Sequence, residues 1–266
     1  MGSGIKDVTG IGAHACARHG CYCPGSVVNF IKGEGQKHMD FSLSEACQTT
    51  FCCLIGRLLH IYDLGCIYHK RLPKRFLEGR PFLTLPKSIL ETAIGMFHVH
   101  GHQDSCFFRY APSFIKGAGM VDGEVLETLW STLNSISPSL RTATLAHRSE
   151  VLDDHMNDSN WKKIISISEL GRLCKSSAYV LLAATIIKKY KRAVENKRNS
   201  LAYFEDLSLT PTPEQLASWE AEISNAEAKR TLNPAAMDIM ATRIPKGRPL
   251  LCDSHLANSH SSTNVS

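Results

Sequence analysis

The run Leu58-Leu59-His60-Ile61-Tyr62 is apolar in all but its histidine and stops abruptly at Asp63. A compact run of this length, bounded by turn residues, reads as a buried strand, and a buried strand delivers the next residue to one end of a sheet. The chain must therefore build layers around a strand that ends in a carboxylate. Ile94-Gly95-Met96-Phe97-His98-Val99-His100 reads as a second buried strand, with a loop after it through Pro112, Gly117 and Gly119.

Around these two segments the pattern alternates between strand and helix, then turns wholly helical. Ser26–Ile31 has the alternation of a half-buried strand, and Phe41–Thr49 reads as a short helix capped by Asp40 or Ser42. In DGEVLETLWSTLN, Leu126, Leu129, Trp130 and Leu133 form one helical stripe, with Asp122 placed as the cap and Gly123 opening the turn. Trp161 to Phe204 is strongly helical in pattern, Pro211 and Pro213 interrupt it, and Pro213–Arg230 reads as one more helix. The fold class expected is α/β with an all-helical C-terminal region. The polar end, Asn258–Ser266, reads as a disordered tail.

Composition sets the outer bounds. The 266 residues are 43% hydrophobic and 21% charged, which excludes global disorder and a disulfide mini-scaffold. The longest apolar run, Ala178 to Ile187, is about half the length a membrane span needs, so no transmembrane helix and no membrane partner are expected. MGSGIKDVTGIG lacks the apolar core of a signal peptide, so an intracellular chain is expected. Ten cysteines without a secretory signal then read as reduced thiols, some of them metal ligands, and a net charge of +5 is compatible with nucleic acid.

Four constellations carry chemistry. Asp63 together with Glu124 or Glu127 offers the hard oxygen ligands that Mg²⁺ or Mn²⁺ takes; the plainer reading is a turn aspartate and solvated helical glutamates. On a helical wheel Glu127 lies nearer the edge of the apolar stripe than Glu124, so it is the preferred partner. His98, His100, His102 and Cys106, with Cys66 and His69 after the earlier strand, are the residue types of a zinc site or of a packed histidine cluster. CARHGCYC brings Cys16, His19, Cys21 and Cys23 together, although cysteines two apart chelate one ion poorly. Basic clusters at Lys70, Arg71, Lys74 and Arg75, and at Lys188, Lys189, Lys191 and Arg192, suit either a phosphate backbone or a solvated face.

Taken in order, GIGAHACARHGCYCPGSVVNFIKGEGQKHMDFSLSEA, IYDLGCIYHK, GMFHVHGHQDSCFFRYAPSFIKGAGMVDGEVLETLWSTLNSISPS and TLAHRSEVLDDHMNDSNWKK resemble the Kyakuja-Dileera-Zisupton transposases, which are abundant in fungal genomes. The resemblance spans roughly residues 9–165 and returns at KKYKRA and in the Pro213–Asp238 helix. It implies an RNase H-like mixed sheet flanked by helices, in which three acids hold two divalent metals for DNA transposition. It places the second acid at Asp63 and the third at Glu124 or Glu127, and it implies a metal-binding insert built from Cys66, His98, His102 and Cys106. DNA, a homo-oligomer or intact relatives are the partners it implies, and the nucleus the location.

The resemblance also implies departures. No counterpart of the family's first acid stands in Met1–Asp7, so the sheet is expected to be incomplete and the chain a truncated, inactive copy. GRLCKSSAYVLLAATI, within 171–186, reads as an insertion. The expected organisation is a partial catalytic domain at 1–150, a basic helical region at 151–205, a helical extension at 206–249 and a tail at 250–266. The competing reading is a non-catalytic, zinc-stabilised module that binds DNA or protein.

Overall fold

The computed structural model describes residues 8–172 and 178–241, and the side chains of residue 53 and of residues 167–186 are not described. Asp7, the tail at 250–266 and residues 173–177 of the 171–186 insertion lie outside the described residues. The described chain is mixed α/β and mainly helical, with two small sheets. No helix among the described residues is long and apolar enough to cross a membrane.

Strands β1 (Gly10–Gly12) and β2 (Val28–Phe30) pair antiparallel, so β2 is shorter than the 26–31 alternation suggests. Glycine is required at position 12, because a Cβ there would sit 2.6 Å from the Phe30 ring and 2.9 Å from Met39 Sδ. Between the strands, Cys16 N–H donates to Cys21 C=O and Gly20 N–H to Cys16 C=O, which closes CARHGC into a tight loop.

Helix α1 (Gln36–Thr49) starts five residues earlier than expected, with Gly35 at its N-cap. Asp40 and Ser42 are therefore interior residues and not caps, and both are buried. Ser42 Oγ donates to Ser26 C=O, and Asp40 accepts two hydrogen bonds from Arg75, at 2.7 Å from Nε and 2.9 Å from Nη2. A three-residue 3₁₀ turn (Cys52–Leu54) leads into β3 (Arg57–Ile61).

The crossover from β3 runs through α2 (Gly65–Tyr68), a 3₁₀ turn and α3 (Leu72–Glu78), and returns as β4 (Ile89–Ala93), parallel to β3 with His60 opposite Thr92. The second strand is thus not Ile94–His100. Ile94 N–H turns away to Tyr110 C=O, Met96 N–H donates to Asp122 C=O, and Met96–Val99 is helix α4. The observed strand carries Glu91 and Thr92, so its sequence lacks the apolar run that marks β3.

Helix α5 (Asp104–Tyr110) and a 3₁₀ turn (Pro112–Phe114) come next, then α6 (Val125–Leu133), α7 (Ser137–Leu140) and α8 (Leu145–Arg172). The stripe on α6 packs as its spacing requires: Leu129 and Leu133 are buried against Ala13, Tyr22, Leu140, Leu152 and Met156, with Leu126 and Trp130 beside them. Asn160 on α8 ties this core to the cysteine-rich loop, accepting from Tyr22 N–H at 2.8 Å and donating to Tyr22 C=O at 3.0 Å. Helices α9 (Ala178–Ser208) and α10 (Pro213–Lys229) complete the helical half, and Thr212 and Gln215 form a capping box on α10. Arg230, only 6% exposed, donates to Phe114 C=O and Arg109 C=O, and Arg109 in turn pairs with Asp238 in the last 3₁₀ turn (Pro234–Met240).

Two buried polar arrangements generate stability predictions. The Asp40 side chain is 3% exposed and Arg75 is 18% exposed, so removing either charge strands the other without water. Arg75→Met should cost about 3 kcal/mol in a urea melt, and the Arg75→Met/Asp40→Leu double variant should recover part of that loss.

In the second arrangement, His14 Nδ1 lies 2.6 Å from Ser42 Oγ, and His14 Nε2 lies 3.1 Å from His60 Nε2. Because Ser42 donates to Ser26, the network assigns His14 as the donor to Ser42 and His60 as the donor to His14. Burial holds His14 down to about 3, helped by His60, and burial alone holds His60 down to about 4. The unfolded imidazoles take up protons near pH 6.5 that the folded ones refuse. Stability is therefore complete above about pH 6.5 and falls as pH drops toward about 4. Thermal melts across that window should show the loss, and His60→Phe should make its slope shallower.

Candidate metal-binding centres

Asp63 stands just past β3, where Tyr62 N–H still donates to Ala93 C=O and so carries the parallel pairing to the acid's doorstep. On the neighbouring strand the chain leaves β4 through Ile94 and Gly95 into α4, which sets His98 beside Asp63. His98 Nδ1 lies 3.4 Å from Asp63 Oδ2, and its Nε2 lies 3.2 Å from Glu124 Oε2. One imidazole thus spans two carboxylates from different elements. Glu124 is fixed further by the Phe97 N–H, which donates to its Oε1 at 3.0 Å.

Glycines make this approach possible. A Cβ on Gly95 would collide with the Glu124 carboxylate, and Gly123, at φ +83°, turns the chain where a Cβ would lie 2.8 Å from Ile61 Cγ2. Asp122, expected as the cap of α6, is not its N-cap: Glu124 holds that position without a side-chain cap bond, and Asp122 Oδ1 accepts from Glu124 N–H at 3.1 Å. Glu124 itself precedes α6 with non-helical backbone, so the helical-wheel comparison does not govern where it points. Glu127, in the first turn of α6, is exposed and lines the same cavity as Asp63, His98 and Glu124.

Glu34 also lines that cavity and accepts from the Tyr62 hydroxyl at 2.5 Å. Sequence reasoning passes over it; its signal is an acid between two glycines immediately before α1. Burial raises Asp63 above the usual carboxylate range; the nearby His98 opposes the rise, and Glu124, Glu127 and Glu34 add to it. These acids line one cavity without three of their ligand atoms converging, and a divalent cation there would offset the crowding of negative charge that raises Asp63.

A second centre is built from α2, α5 and the loop between α4 and α5. Cys66 on α2, Cys106 on α5 and His102 in the intervening loop bring their ligand atoms within 4.8 Å of one another, with Cys66 Sγ 3.4 Å from His102 Nδ1. Burial and the neighbouring Cys106 push the Cys66 thiol up, a cost that a bound cation would reverse by stabilising thiolate. This Cys-His-Cys set can hold a metal such as zinc. His98, expected as a fourth ligand, faces the acidic centre. His100 packs on the Phe107 ring, and His69 is engaged with Gly65 C=O and the Tyr110 hydroxyl.

The cysteine-rich loop is more loosely gathered. Cys16 Sγ lies 3.3 Å from His19 Nδ1, and burial pushes Cys23 up to about 12 with Cys16, Cys52 and Cys21 contributing. Among the described residues only the Cys66 group draws three donors together. Of the first basic cluster, Arg75 is spent on Asp40, while Lys188, Lys189, Lys191 and Arg192 are exposed along α9.

Compared with known families, residues 2–160 match the model of the Kyakuja-Dileera-Zisupton transposases, more than half of the chain. No curated protein and no solved structure matches.

The Cys-His-Cys centre predicts a metal response. Zn²⁺ should raise the melting temperature of the purified chain, and Co²⁺ should give a thiolate charge-transfer band. Both responses should vanish in Cys106→Ser, while Cys16→Ser should leave them intact.

Proposed function

The chain belongs to the Kyakuja-Dileera-Zisupton transposase family, and from that premise we propose that Asp63, His98 and Glu124 form a centre that acts on DNA phosphodiesters with Mg²⁺ or Mn²⁺. The observation that carries the reading is the meeting of two carboxylates on one imidazole, at 3.4 and 3.2 Å, in a cavity that Glu127 and Glu34 also line. The donors suit a hard divalent ion, and the absence of a side chain at Gly95 leaves room for the Glu124 carboxylate. A divalent ion held by Asp63 and Glu124 or Glu127 would stabilise the charge that develops on phosphodiester oxygens as the bond breaks.

The chain's own residues do the positioning. His98 spaces the two carboxylates, the Phe97 N–H fixes the rotation of Glu124, and Tyr62 anchors Glu34 beside them. The parallel β3–β4 pair with an acid at its C-terminal end supports reading residues 1–150 as part of an RNase H-like catalytic domain. The exposed basic face of α9, in the region 151–205, fits a supporting DNA contact, and the Cys66 centre a structural zinc. A DNA substrate fits a nuclear location.

Cutting by this chain alone is expected to be feeble or absent. Two ions demand more carboxylate than the pair that converges here, and one missing carboxylate typically costs several kcal/mol of transition-state stabilisation, on the order of 10³-fold or more in rate. The test is Mn²⁺-dependent nicking of labelled duplex DNA by the chain and by Asp63→Asn, with circular dichroism on both. A folded chain that does not nick is the expected result. Nicking that disappears in Asp63→Asn would overturn the inactivity and keep the enzyme, whereas nicking that survives it would remove Asp63 from the reading.

A further inference from the structure

Beyond the acidic centre, an open groove of about 880 Å³ lies between β1 and helices α6, α7 and α8. Its walls mix apolar side chains, among them Ile11, Trp130 and Leu140, with polar ones such as Thr9 and Asn134, and the charged residues lining it are Arg141, Arg148 and Glu127. Ile11, Glu127 and Trp130 line the acidic cavity as well, so the groove adjoins the cavity that holds Asp63 and Glu124.

Two features of the groove point to an anionic polymer. Arg148 is half-buried, held toward Asn29 by a 2.7 Å hydrogen bond from its Nη1, and has no carboxylate partner among the described residues. A guanidinium in that position is costly to desolvate, and a phosphate supplied from outside offsets the cost with paired hydrogen bonds. Arg141, exposed and likewise without an ion pair among the described residues, stands on the same wall. Beside them Trp130, fixed by packing on Tyr22 with ring centroids 6.1 Å apart, offers an indole to the cavity. An indole stacks on a base face only where bases are unstacked, which a duplex does not offer.

We propose that this groove seats a single strand of DNA, with phosphates on Arg141 and Arg148 and a base against Trp130, and leads that strand to the acidic centre. The proposal rests on the reading of Asp63 and Glu124 as a centre acting on DNA. Glu127 marks the junction, where the strand passes from arginine-paired phosphates to the carboxylates.

Binding is measured without cutting, by fluorescence anisotropy of a short labelled single-stranded oligonucleotide in EDTA, over a salt series, using the whole chain. Arg141→Gln/Arg148→Gln should weaken binding by about tenfold or more and lower the salt slope by about 0.7 per arginine. The oligonucleotide should quench tryptophan fluorescence, and Trp130→Phe should abolish the quench. Because Arg148 also holds Asn29, the exposed Arg141→Gln alone is measured in parallel, with an expected slope loss of about 0.7. Unchanged affinity and slope in both variants would overturn the proposal. So would loss of self-association in the double variant with oligonucleotide binding intact, which would hand the groove to a second copy of the chain. Because a folded chain that does not nick is already the expected result, loss of binding in the arginine variants keeps the groove whether or not the chain cuts. Asp63-dependent nicking with arginine-independent binding would keep the acidic centre and discard the groove.

Discussion

Everything at the acidic centre depends on the parallel pairing of Arg57–Ile61 with Ile89–Ala93. Parallel strands end side by side, so the segments that leave their C-terminal ends emerge at the same edge of the pair. Asp63 leaves one strand and Gly95 and α4 leave the other, and the two are neighbours for that reason alone. An antiparallel pairing of the same segments would put them at opposite ends. The crossover that parallel pairing requires is α2 and α3, and its packing on α1 is secured by the buried Asp40–Arg75 pair, with the Arg75 guanidinium 4.7 Å from the Tyr68 ring centroid.

Two kinds of metal chemistry are built from neighbouring stretches of chain. One group offers carboxylate oxygens, hard donors for hard cations; the other offers two thiols and an imidazole, which favour softer ones. His98 and His102 lie four residues apart yet join different groups, because α4 ends at Val99 and the chain turns before α5 begins. The C-terminal half braces this region from behind. Arg230 donates to two backbone carbonyls and Arg109 binds Asp238, which fixes the last described turn against α5.

How much of this is legible in the sequence differs by element and for physical reasons. The strand before Asp63, the α6 stripe and its Gly123 turn, and the helix opening at Pro213 are readable because burial, backbone turns and proline act locally. Strand β4 is not, since Glu91 and Thr92 interrupt its apolar pattern and Glu91 is instead paired with Arg57 at 2.7 Å. The start of α1 is hidden for a related reason: Asp40 and Ser42 look like caps, but both are consumed by partners far along the chain. Glu34 carries little signal, because a single acid between glycines acquires meaning only beside Tyr62 and Asp63.

By itself the sequence determined the family, the residue types at each centre and the places where periodicity is enforced by burial. Those depend on local preferences and on motif order, which need no knowledge of what lies across the fold. The tertiary structure decided the groupings: that His98 pairs with the acids and not the thiols, that Glu124 reaches His98 from a position ahead of the helix, and that a groove lined by two arginines without ion pairs among the described residues adjoins the acidic cavity. Each depends on the β3–β4 register and on close approach at glycine, which bring together atoms that sequence spacing leaves independent.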